Sequence, residues 1–454
     1  MKAQWIWGFV GLVACSEEQS SAGAADAANA ADAAPQAVEQ RYTLPGKAKA
    51  DFLFVVDNSG SMCQEQHSLA RSFPELADGL AERMDVRIAV TSTDMQTAGH
   101  RGAFQNTPAA PEPSLNCKDE VGDPIVPDTA DCPADLPAIL VADDVGDPED
   151  LERRFRCMVT LGTSGDGFEK GLEAMRQALS CQGPNRDHFS ECCRADGSFD
   201  PTCTATSAEF LRPDALLVVV FLSDEPDCSD DPANPVSRDA NSNCEWQRDR
   251  LVPVEDYYRF LVGLKAEPLE SIMVAAIVGR RSFTEAGNEV SYLPGEPSPE
   301  CAGDPDRGAP PPTTEACCPG GACVGEIQVT CESERGSAFT GRRYLELAER
   351  FGANGVGCPA DADQNDASEC QTICVDDYSE TFTQLKHKFV KVVSAWCLDA
   401  QPRPETVEVV TDHTLSPDEF TVNLNDPACP SGAVLHLHEE PAPGSEVVIR
   451  YLPR

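Results

Sequence analysis

The sequence predicts a doubly wound, mostly parallel α/β fold with disulfide-rich insertions and a small C-terminal β appendage. Three observations predict it. Continuously apolar runs, typical of strands covered on both faces, alternate with amphipathic helical patterns. Most of the 21 cysteines lie in the segments between these elements, and the last fifty or so residues change to a period of two. The 454 residues are 41% hydrophobic, which is enough for a globular core.

The N-terminal segment has the features of an export signal. Lys2 precedes an apolar run that ends at Cys15 and is too short to cross a bilayer. Residues 12–15 (Leu-Val-Ala-Cys) resemble the lipobox of bacterial lipoproteins, in which the cysteine is lipidated. We therefore expect a lipoprotein signal peptide at residues 1–14 and a membrane anchor at Cys15. An ordinary signal peptide is the alternative. By the same resemblance, Ser16 favours the outer membrane over the inner one.

Residues 15–45 are rich in Ala, Asp and Ser and contain no aromatic residue before Tyr42. Such a composition cannot bury a core, so we expect a disordered tether between the anchor and the folded head. We assign residues 46–398 to the α/β head and residues 399–454 to the β appendage.

The head opens with the strand–helix–strand pattern of a βαβ unit. Residues 50–56 are apolar after Asp51, and residues 86–91 indicate the second strand. A helix between them is expected to be kinked or restarted at Pro74. Its apolar stripe is Leu69, Phe73, Leu76, Leu80 and Met84.

The alternation of strands and helices resumes after each insertion. Asp147 and Pro148 are typical of a helix N-cap and first helical position. Two further apolar runs, 216–222 and 272–278, predict buried parallel strands. The predicted helices cover residues 151–157, 167–179, 257–264, 342–351 and 378–396, the last with Trp396 in its core stripe.

Without Cys15, twenty cysteines remain, an even number that predicts up to ten disulfides in an exported protein. The neighbours Cys192 and Cys193, and likewise Cys317 and Cys318, are expected to bond to different partners. Cys397 is the expected partner of Cys429. Structural zinc is disfavoured because the chain after Cys15 has no C-x-x-C motif.

The formal charge of −41 excludes a class of functions. Affinity for nucleic acids and anionic lipid surfaces depends on Lys and Arg, and this protein's field has the opposite sign. We therefore expect no nucleic-acid partner.

A cation-binding motif directly follows the first predicted strand. Asp57, Ser59 and Ser61 form an Asp-x-Ser-x-Ser sequence. Open parallel sheets place ligand sites beyond the carboxyl ends of their strands, and Mg²⁺ prefers oxygen ligands with only one or two carboxylates. A plain polar turn is the alternative interpretation.

This motif resembles the metal-ion-dependent adhesion site of von Willebrand factor type A (VWA) domains, which have a Rossmann-like fold. The resemblance implies a threonine ligand from a second loop and an aspartate after a later central strand. Thr163 and Asp224 match these positions, although the loop departs from the usual Thr-x-Thr spacing. Ser164 or Asp166 is therefore an alternative to Thr163. The resemblance covers residues 50–280 well and residues up to about 398 loosely.

The resemblance implies a function in binding. In the family, an acidic residue of a protein partner completes the metal shell, so we expect a surface-tethered lipoprotein of the cell envelope that binds a partner carboxylate. Mg²⁺ is the expected cation, with Ca²⁺ or Mn²⁺ as alternatives. A structural envelope protein with a merely stabilising metal is the alternative function. We expect no enzymatic activity, because the chain has neither a G-x-S-x-G elbow nor an H-E-x-x-H helix.

The acidic run at residues 224–231 is a weaker candidate. Its carboxylates suit a calcium site, whereas its spacing is not that of an EF-hand, so a solvated acidic loop is the preferred interpretation.

Overall fold

The computed structural model of the chain describes most of the predicted head and appendage. The described residues are 37–43, 48–77, 84–111, 117, 125, 129–205, 207–238, 244–280, 283–285, 288–290, 330–333, 337–357, 372–375, 377–393, 395–425, 429–438 and 445–454. The signal peptide, Cys15, Cys317 and Cys318 lie outside these ranges.

Strands and helices alternate through the head, and from residue 395 onward the described residues form strands together with one short 3-10 helix, Pro404–Thr406. The strands are β1 (Val38–Thr43), β2 (Ala48–Val56), β3 (Met84–Ser92), β4 (Leu140–Val141), β5 (Leu216–Ser223), β6 (Ile272–Val278), β7 (Phe283–Glu285), β8 (Asn288–Val290), β9 (Cys331–Glu332), β10 (Ser337–Ala338), β11 (Gly355–Val356), β12 (Ala395–Cys397), β13 (Glu408–Val410), β14 (Phe420–Asn423), β15 (Val434–Leu437) and β16 (Glu446–Tyr451). The α-helices are α1 (Cys63–Ala77), α2 (Ala142–Val145), α3 (Pro148–Val159), α4 (Gly171–Ala178), α5 (Val254–Val262), α6 (Pro268–Ser271), α7 (Arg342–Arg350) and α8 (Ser379–Val393).

The head is built on a six-stranded sheet with the order β11-β6-β5-β2-β3-β4. All neighbouring strands are parallel except β4, which pairs antiparallel with β3 at one edge. The chain passes from β2 to β3 on one side and returns to β5 on the other. The strand order therefore reverses at the carboxyl end of β2, the usual place of a ligand site. This topology confirms the predicted doubly wound α/β fold.

Helices cover both faces of the sheet, which explains its unbroken apolar runs. Phe52 and Phe54 face the core beneath α1, α3 and α8, and the alternating Leu53 and Val55 face the core beneath α4, α5 and α7. All four are fully buried. Burying one such side chain contributes about 1.5–3 kcal/mol, so these strands anchor the fold.

The start of α3 confirms the predicted cap. The Asp147 carboxylate accepts a hydrogen bond from the Glu149 backbone N–H at 3.2 Å, and Pro148 is the first helical residue. A proline costs no hydrogen bond there, because the first helical N–H groups have no partner within the helix.

Three predicted helix boundaries are wrong. The apolar stripe predicts Met84 on the first helix, but α1 ends at Ala77 with Pro74 inside it, and Met84 pairs with Ala48 as the first residue of β3. The helix expected from residue 167 begins only at Gly171. Trp396 leaves the last helix and pairs with Leu435 in β12. In each case, an apolar side chain that fits the predicted helical stripe packs outside that helix instead.

The predicted tether is also wrong in its last residues. Val38–Thr43 form β1, which pairs antiparallel with β16. In the appendage, β1, β16 and β13 form one sheet and β12, β15 and β14 form another, around a shared core that includes Leu435, Val447 and Ile449. The β appendage is thus confirmed, and it includes a strand from the other end of the chain.

Seven disulfides lie within the described residues. Cys193 bonds to Cys181 and Cys192 to Cys203, which confirms that the adjacent cysteines have different partners. The predicted Cys397–Cys429 pair is also present. The others are Cys63–Cys117, Cys132–Cys157, Cys228–Cys244 and Cys331–Cys374. In the part of the chain that the structure describes, no helix has both the length and the apolar character to cross a membrane.

Candidate metal centre

Asp57 is held at the carboxyl end of β2, in the middle of the sheet. Its backbone N–H donates to the Leu222 carbonyl at 2.9 Å, which continues the ladder with β5. One carboxylate oxygen, Oδ1, accepts from the Ser59 backbone N–H at 2.8 Å, and Oδ2 accepts from the Ser223 hydroxyl at 2.6 Å. The side chain is fully buried. Two strand ends therefore orient this carboxylate.

The other residues of the motif connect Asp57 to Asp224. The Ser59 and Ser61 hydroxyl oxygens are 3.3 Å apart, and the Ser61 hydroxyl lies near enough to the Asp224 carboxyl group to lower its pKa. Asp224 is only 4% exposed, yet its Oδ1 has no hydrogen-bond partner. Gly60 and Ser61 are exposed. The predicted residues Asp57, Ser59, Ser61 and Asp224 therefore lie together, with access to solvent at the turn.

Gln66 of α1 brings the second predicted loop to the same place. Its Nε2 donates to the carbonyls of Asp57 and Gly162, both at 2.9 Å, and its Oε1 accepts from the Leu161 N–H at 3.0 Å. Thr163, the next residue after Gly162, is buried. Gln66 was not predicted as a site residue, because a single glutamine in a helix carries no sequence signal for such a role.

The loop itself favours Thr163 over the two alternatives. Ser164 is exposed to solvent, whereas Thr163 is 4% exposed. Asp166 forms a salt bridge with Arg238, so its charge is already offset. The Gly165 N–H donates to the Asn58 carbonyl at 2.7 Å, which docks this loop on the turn that carries Asp57.

Glu169 lies at the same edge of the sheet, although the sequence pattern did not single it out. It is fully buried, its Oε2 accepts a hydrogen bond from the Thr93 hydroxyl, and its Oε1 accepts none. Its carboxyl group lies beside that of Asp57, and each affects the pKa of the other. The segment before the helix also contains Asp166 and Lys170, so its sequence gave no local signal that pointed to Glu169.

Five carboxyl groups meet at this edge of the sheet. Burial raises the pKa of Asp57 to about 6, of Asp224 to about 7, of Glu65 to about 8 and of Glu225 to about 9. The pKa of Glu169 is also raised well above its usual value, first by burial and then by the charge of Asp57. Burial disfavours an ionised carboxylate, and the neighbouring negative charges add to that cost.

The nearby basic side chains are bonded to other acids. Lys170 pairs with Asp230, with the Lys170 Nζ and Asp230 Oδ1 atoms 2.6 Å apart, and Arg343 pairs with Asp227 at 2.8 Å between Nε and Oδ2. Arg238 pairs with Asp166. Asp227 and Asp230 are 1% and 9% exposed, so the preferred interpretation of the acidic run, a solvated loop, is wrong at these two residues. They are buried ion pairs that fasten α4 and α7.

The donor set fits a hard divalent cation. Two buried carboxylate oxygens at this edge of the sheet, Asp224 Oδ1 and Glu169 Oε1, accept no hydrogen bond, and the Ser59 and Ser61 hydroxyls lie on the adjoining turn. Among the described residues, no three His, Cys, Asp or Glu side chains come close enough to hold a metal by themselves. A cation here depends on the hydroxyls and on water as well, which is the chemistry that Mg²⁺ prefers.

Comparison with known proteins shows low similarity throughout. No family model and no curated protein sequence matches this chain. A von Willebrand factor type A structure from Catenulispora acidiphila aligns with 92% of this chain and 66% of its own, at 10% identity and a TM-score of 0.29. The pilus adhesin SpaC from Lactobacillus rhamnosus GG aligns with 91% of this chain at 11% identity and a TM-score of 0.28.

The pilus adhesin RrgA from Streptococcus pneumoniae aligns with 91% of this chain at 9% identity and a TM-score of 0.22. This chain spans only 41% of SpaC and 58% of RrgA. The Rossmann-like fold therefore rests on the chain's own strand order, which these low scores do not strengthen.

Proposed function

We propose that this chain is an envelope-anchored binding protein that holds a divalent cation and uses it to bind a carboxylate of a partner protein. The cation would be held by Asp57, Ser59, Ser61, Thr163 and Asp224. The observation that carries this proposal is the group of buried carboxylates with no ion-pair partner among the described residues, next to an exposed turn of hydroxyls.

The carboxylates would supply negative charge to the cation, and the exposed turn would leave one coordination position open. The Ser59 N–H and the Ser223 hydroxyl fix Asp57, so this carboxylate is oriented before any cation arrives, whereas Asp224 Oδ1 has no hydrogen-bond partner. When bound, the cation would supply an electrophilic position for a partner oxygen. Exposure of Gly60 and Ser61 leaves room for a partner to approach.

Mg²⁺ is the cation we propose, with Ca²⁺ or Mn²⁺ as alternatives. Mg²⁺ keeps several waters and takes few direct carboxylates, in agreement with a site that depends on hydroxyls and water. We propose binding and not catalysis, because Asp57 is fully buried and held by hydrogen bonds to both oxygens, which disfavours its attack on a substrate but leaves a second lone pair on each oxygen for a cation or its water.

The disulfides support an extracytoplasmic location. Such bonds persist in oxidising compartments and are rare in the cytosol. We propose lipid anchoring through Cys15 to the outer membrane, on the lipobox resemblance, with residues 16–37 as the tether.

The double substitution Ser59→Ala and Ser61→Ala tests the proposal. Purified protein is used to capture partners from envelope extracts in Mg²⁺, in Ca²⁺ and in chelator. We expect the captured proteins to disappear in chelator, which removes the cation. We expect the same in the double variant, which lacks two oxygen ligands. The matched control is Ser198→Ala with Ser207→Ala, two exposed serines on other loops, which should capture as the unmodified protein does.

Capture that survives both chelator and the double substitution would refute the proposal. A melting temperature that falls in chelator without the loss of any captured protein would favour the alternative, a cation that only stabilises the fold.

A further inference from the structure

Glu169 has an environment that a structural carboxyl group does not need. The side chain is fully buried two residues before α4, and the Thr93 hydroxyl donates to its Oε2. Its Oε1 accepts no hydrogen bond. A glutamine would satisfy the Thr93 donor equally well without a charge. Leaving a buried carboxylate oxygen without a donor costs about 1–3 kcal/mol or more, so this position is unfavourable for stability alone.

The surroundings aim Glu169 at the candidate cation. Thr93 directly follows β3, and its N–H donates to the Val56 carbonyl at 3.2 Å, which places it beside the residue before Asp57. The Lys170 N–H donates back to the Thr93 carbonyl at 3.2 Å. Glu169 is therefore held between the ends of two adjacent central strands, with its carboxyl group against that of Asp57.

Neither ion pairing nor helix capping accounts for an acid at this position. Lys170, the next residue, is committed to Asp230 and forms no ion pair with Glu169. The carboxylate caps no helix: Lys170 is the N-cap residue of α4, and the first N–H groups of that helix donate to other side chains, Leu172 N–H to Asp227 Oδ1 at 3.0 Å and Glu173 N–H to Ser229 Oγ at 2.9 Å. The Glu169 backbone carbonyl accepts from the Cys228 N–H at 2.6 Å, a role that any residue can fill.

We infer that Glu169 is a further carboxylate of the cation site, with Oε1 as the oxygen that the cation engages through one water. This inference rests on the proposed cation binding. It extends the metal shell beyond the residues that the VWA resemblance implies, and it compensates for the departure of this loop from the Thr-x-Thr spacing. The added carboxylate strengthens cation binding, and its burial without a donor destabilises the cation-free protein.

Glu169→Gln tests the inference because it keeps the shape and the Thr93 acceptor while removing the charge. The full chain is titrated with Mn²⁺ as probe, by electron paramagnetic resonance of free Mn²⁺, and its melting temperature is measured in chelator. We expect Mn²⁺ affinity to fall at least tenfold and the melting temperature in chelator to rise. The matched control is Glu173→Gln. The Glu173 carboxylate lies in α4 and pairs with Arg176, so this substitution should not change Mn²⁺ affinity.

A merely structural Glu169 would give a different pattern. Unchanged Mn²⁺ affinity in Glu169→Gln would overturn the inference while leaving the proposed function intact. Failure of the unmodified protein to bind Mn²⁺, Mg²⁺ or Ca²⁺ would overturn both.

If Glu169→Gln does not fold, Thr93→Val tests the inference instead, because it removes the donor that orients Glu169 without changing the charge. We then expect Mn²⁺ affinity to fall several-fold, and an unchanged affinity would refute the inference.

Discussion

At the scale of single residues, the site concentrates negative charge where water is scarce. Glu65 on α1 shows this best, because burial and the charges of Asp224 and Asp57 raise its pKa to about 8. Its Oε2 has no hydrogen-bond partner, and the side chain is 7% exposed in the Cys63–Ala77 helix. The cation-free fold is thus destabilised by its own carboxylates, and a bound cation would offset that cost.

This predicts an unusual pH dependence for Glu65→Gln in chelator. The folded protein keeps a proton on Glu65 that the unfolded chain loses above about pH 4.5, so stability falls as the pH rises towards 8. We expect the substitution to raise the free energy of unfolding at pH 8, by on the order of 2–4 kcal/mol, and to change it little at pH 5. Urea denaturation at both pH values measures this.

Glu209→Gln is the control for that measurement, because its side chain is 68% exposed. Its effect should stay within about 1 kcal/mol at both pH values. Equal effects of Glu65→Gln at pH 5 and pH 8 would contradict the expected burial of a carboxylate at this site.

At the scale of elements, the site is made by two loops that pack on each other at the ends of parallel strands. Gly165 contacts the turn that carries Asp57, and a Cβ atom there would lie 2.7 Å from the Asn58 carbonyl oxygen. The backbones approach so closely that only glycine fits without a shift. Gln66 fastens the same two loops from α1. The candidate metal ligands are therefore positioned by backbone contacts as much as by their own side chains.

Gly165→Ala should consequently disturb both the fold and the cation site. We expect a loss of about 1–3 kcal/mol in the free energy of unfolding, as for overpacking elsewhere, together with weaker Mn²⁺ binding. Gly167→Ala in the same loop is the matched control, because nothing lies within 4 Å of its Cβ position. Chemical denaturation and Mn²⁺ titration of both variants test this, and equal effects of the two substitutions would refute close docking.

At the scale of the whole molecule, the appendage joins the two ends of the described chain. Arg41 on β1 contacts Glu446 on β16, and Tyr42 packs against Trp396 with ring centroids 5.9 Å apart. The chain then enters the amino end of β2, whereas the site lies beyond its carboxyl end. Nine residues of strand separate them, or roughly 30 Å. A tether before β1 would thus leave the site at the far end of the sheet.

Removal of β1 should therefore weaken the appendage and spare the metal site. A chain that begins at residue 46 exposes the edge of β16, and the Gln40 side chain no longer accepts from the Tyr451 hydroxyl. We expect a lower melting temperature and faster proteolysis after residue 398, with unchanged Mn²⁺ affinity. A chain that begins at residue 37 is the control, and equal stability of the two chains would contradict the role of β1.

The formal charge of −41 has a different meaning at this scale. It repels acidic partners at long range, although salt screens such repulsion beyond about 8 Å. Some of the acidic residues counted in this charge are buried at the candidate metal site, where a cation would offset their carboxylates. A contact between the cation and one partner carboxylate is short enough to survive the long-range repulsion.

The predictions from sequence succeeded where the signal was local. The strand expected at residues 272–278 is observed as Ile272–Val278, and the one expected at 216–222 extends by a single residue to Ser223. Apolar runs of this kind are buried on both faces in any parallel sheet, so the sequence pattern is sufficient to locate them. The motif after β2 was found from its place at the end of a buried strand, whereas the aspartate after β5 was identified through the VWA resemblance.

The sequence by itself determined the fold class, the position of Asp57, Ser59, Ser61 and Asp224 at one edge of the sheet, and the separate bonding of Cys192 and Cys193. Only the tertiary structure decided that Glu169 lies beside Asp57, that Asp227 and Asp230 are paired, and that Val38–Thr43 is a strand. The physical reason is the same in each case. These features depend on burial and on partners distant in the chain, and no local pattern encodes a contact between residues 38 and 451.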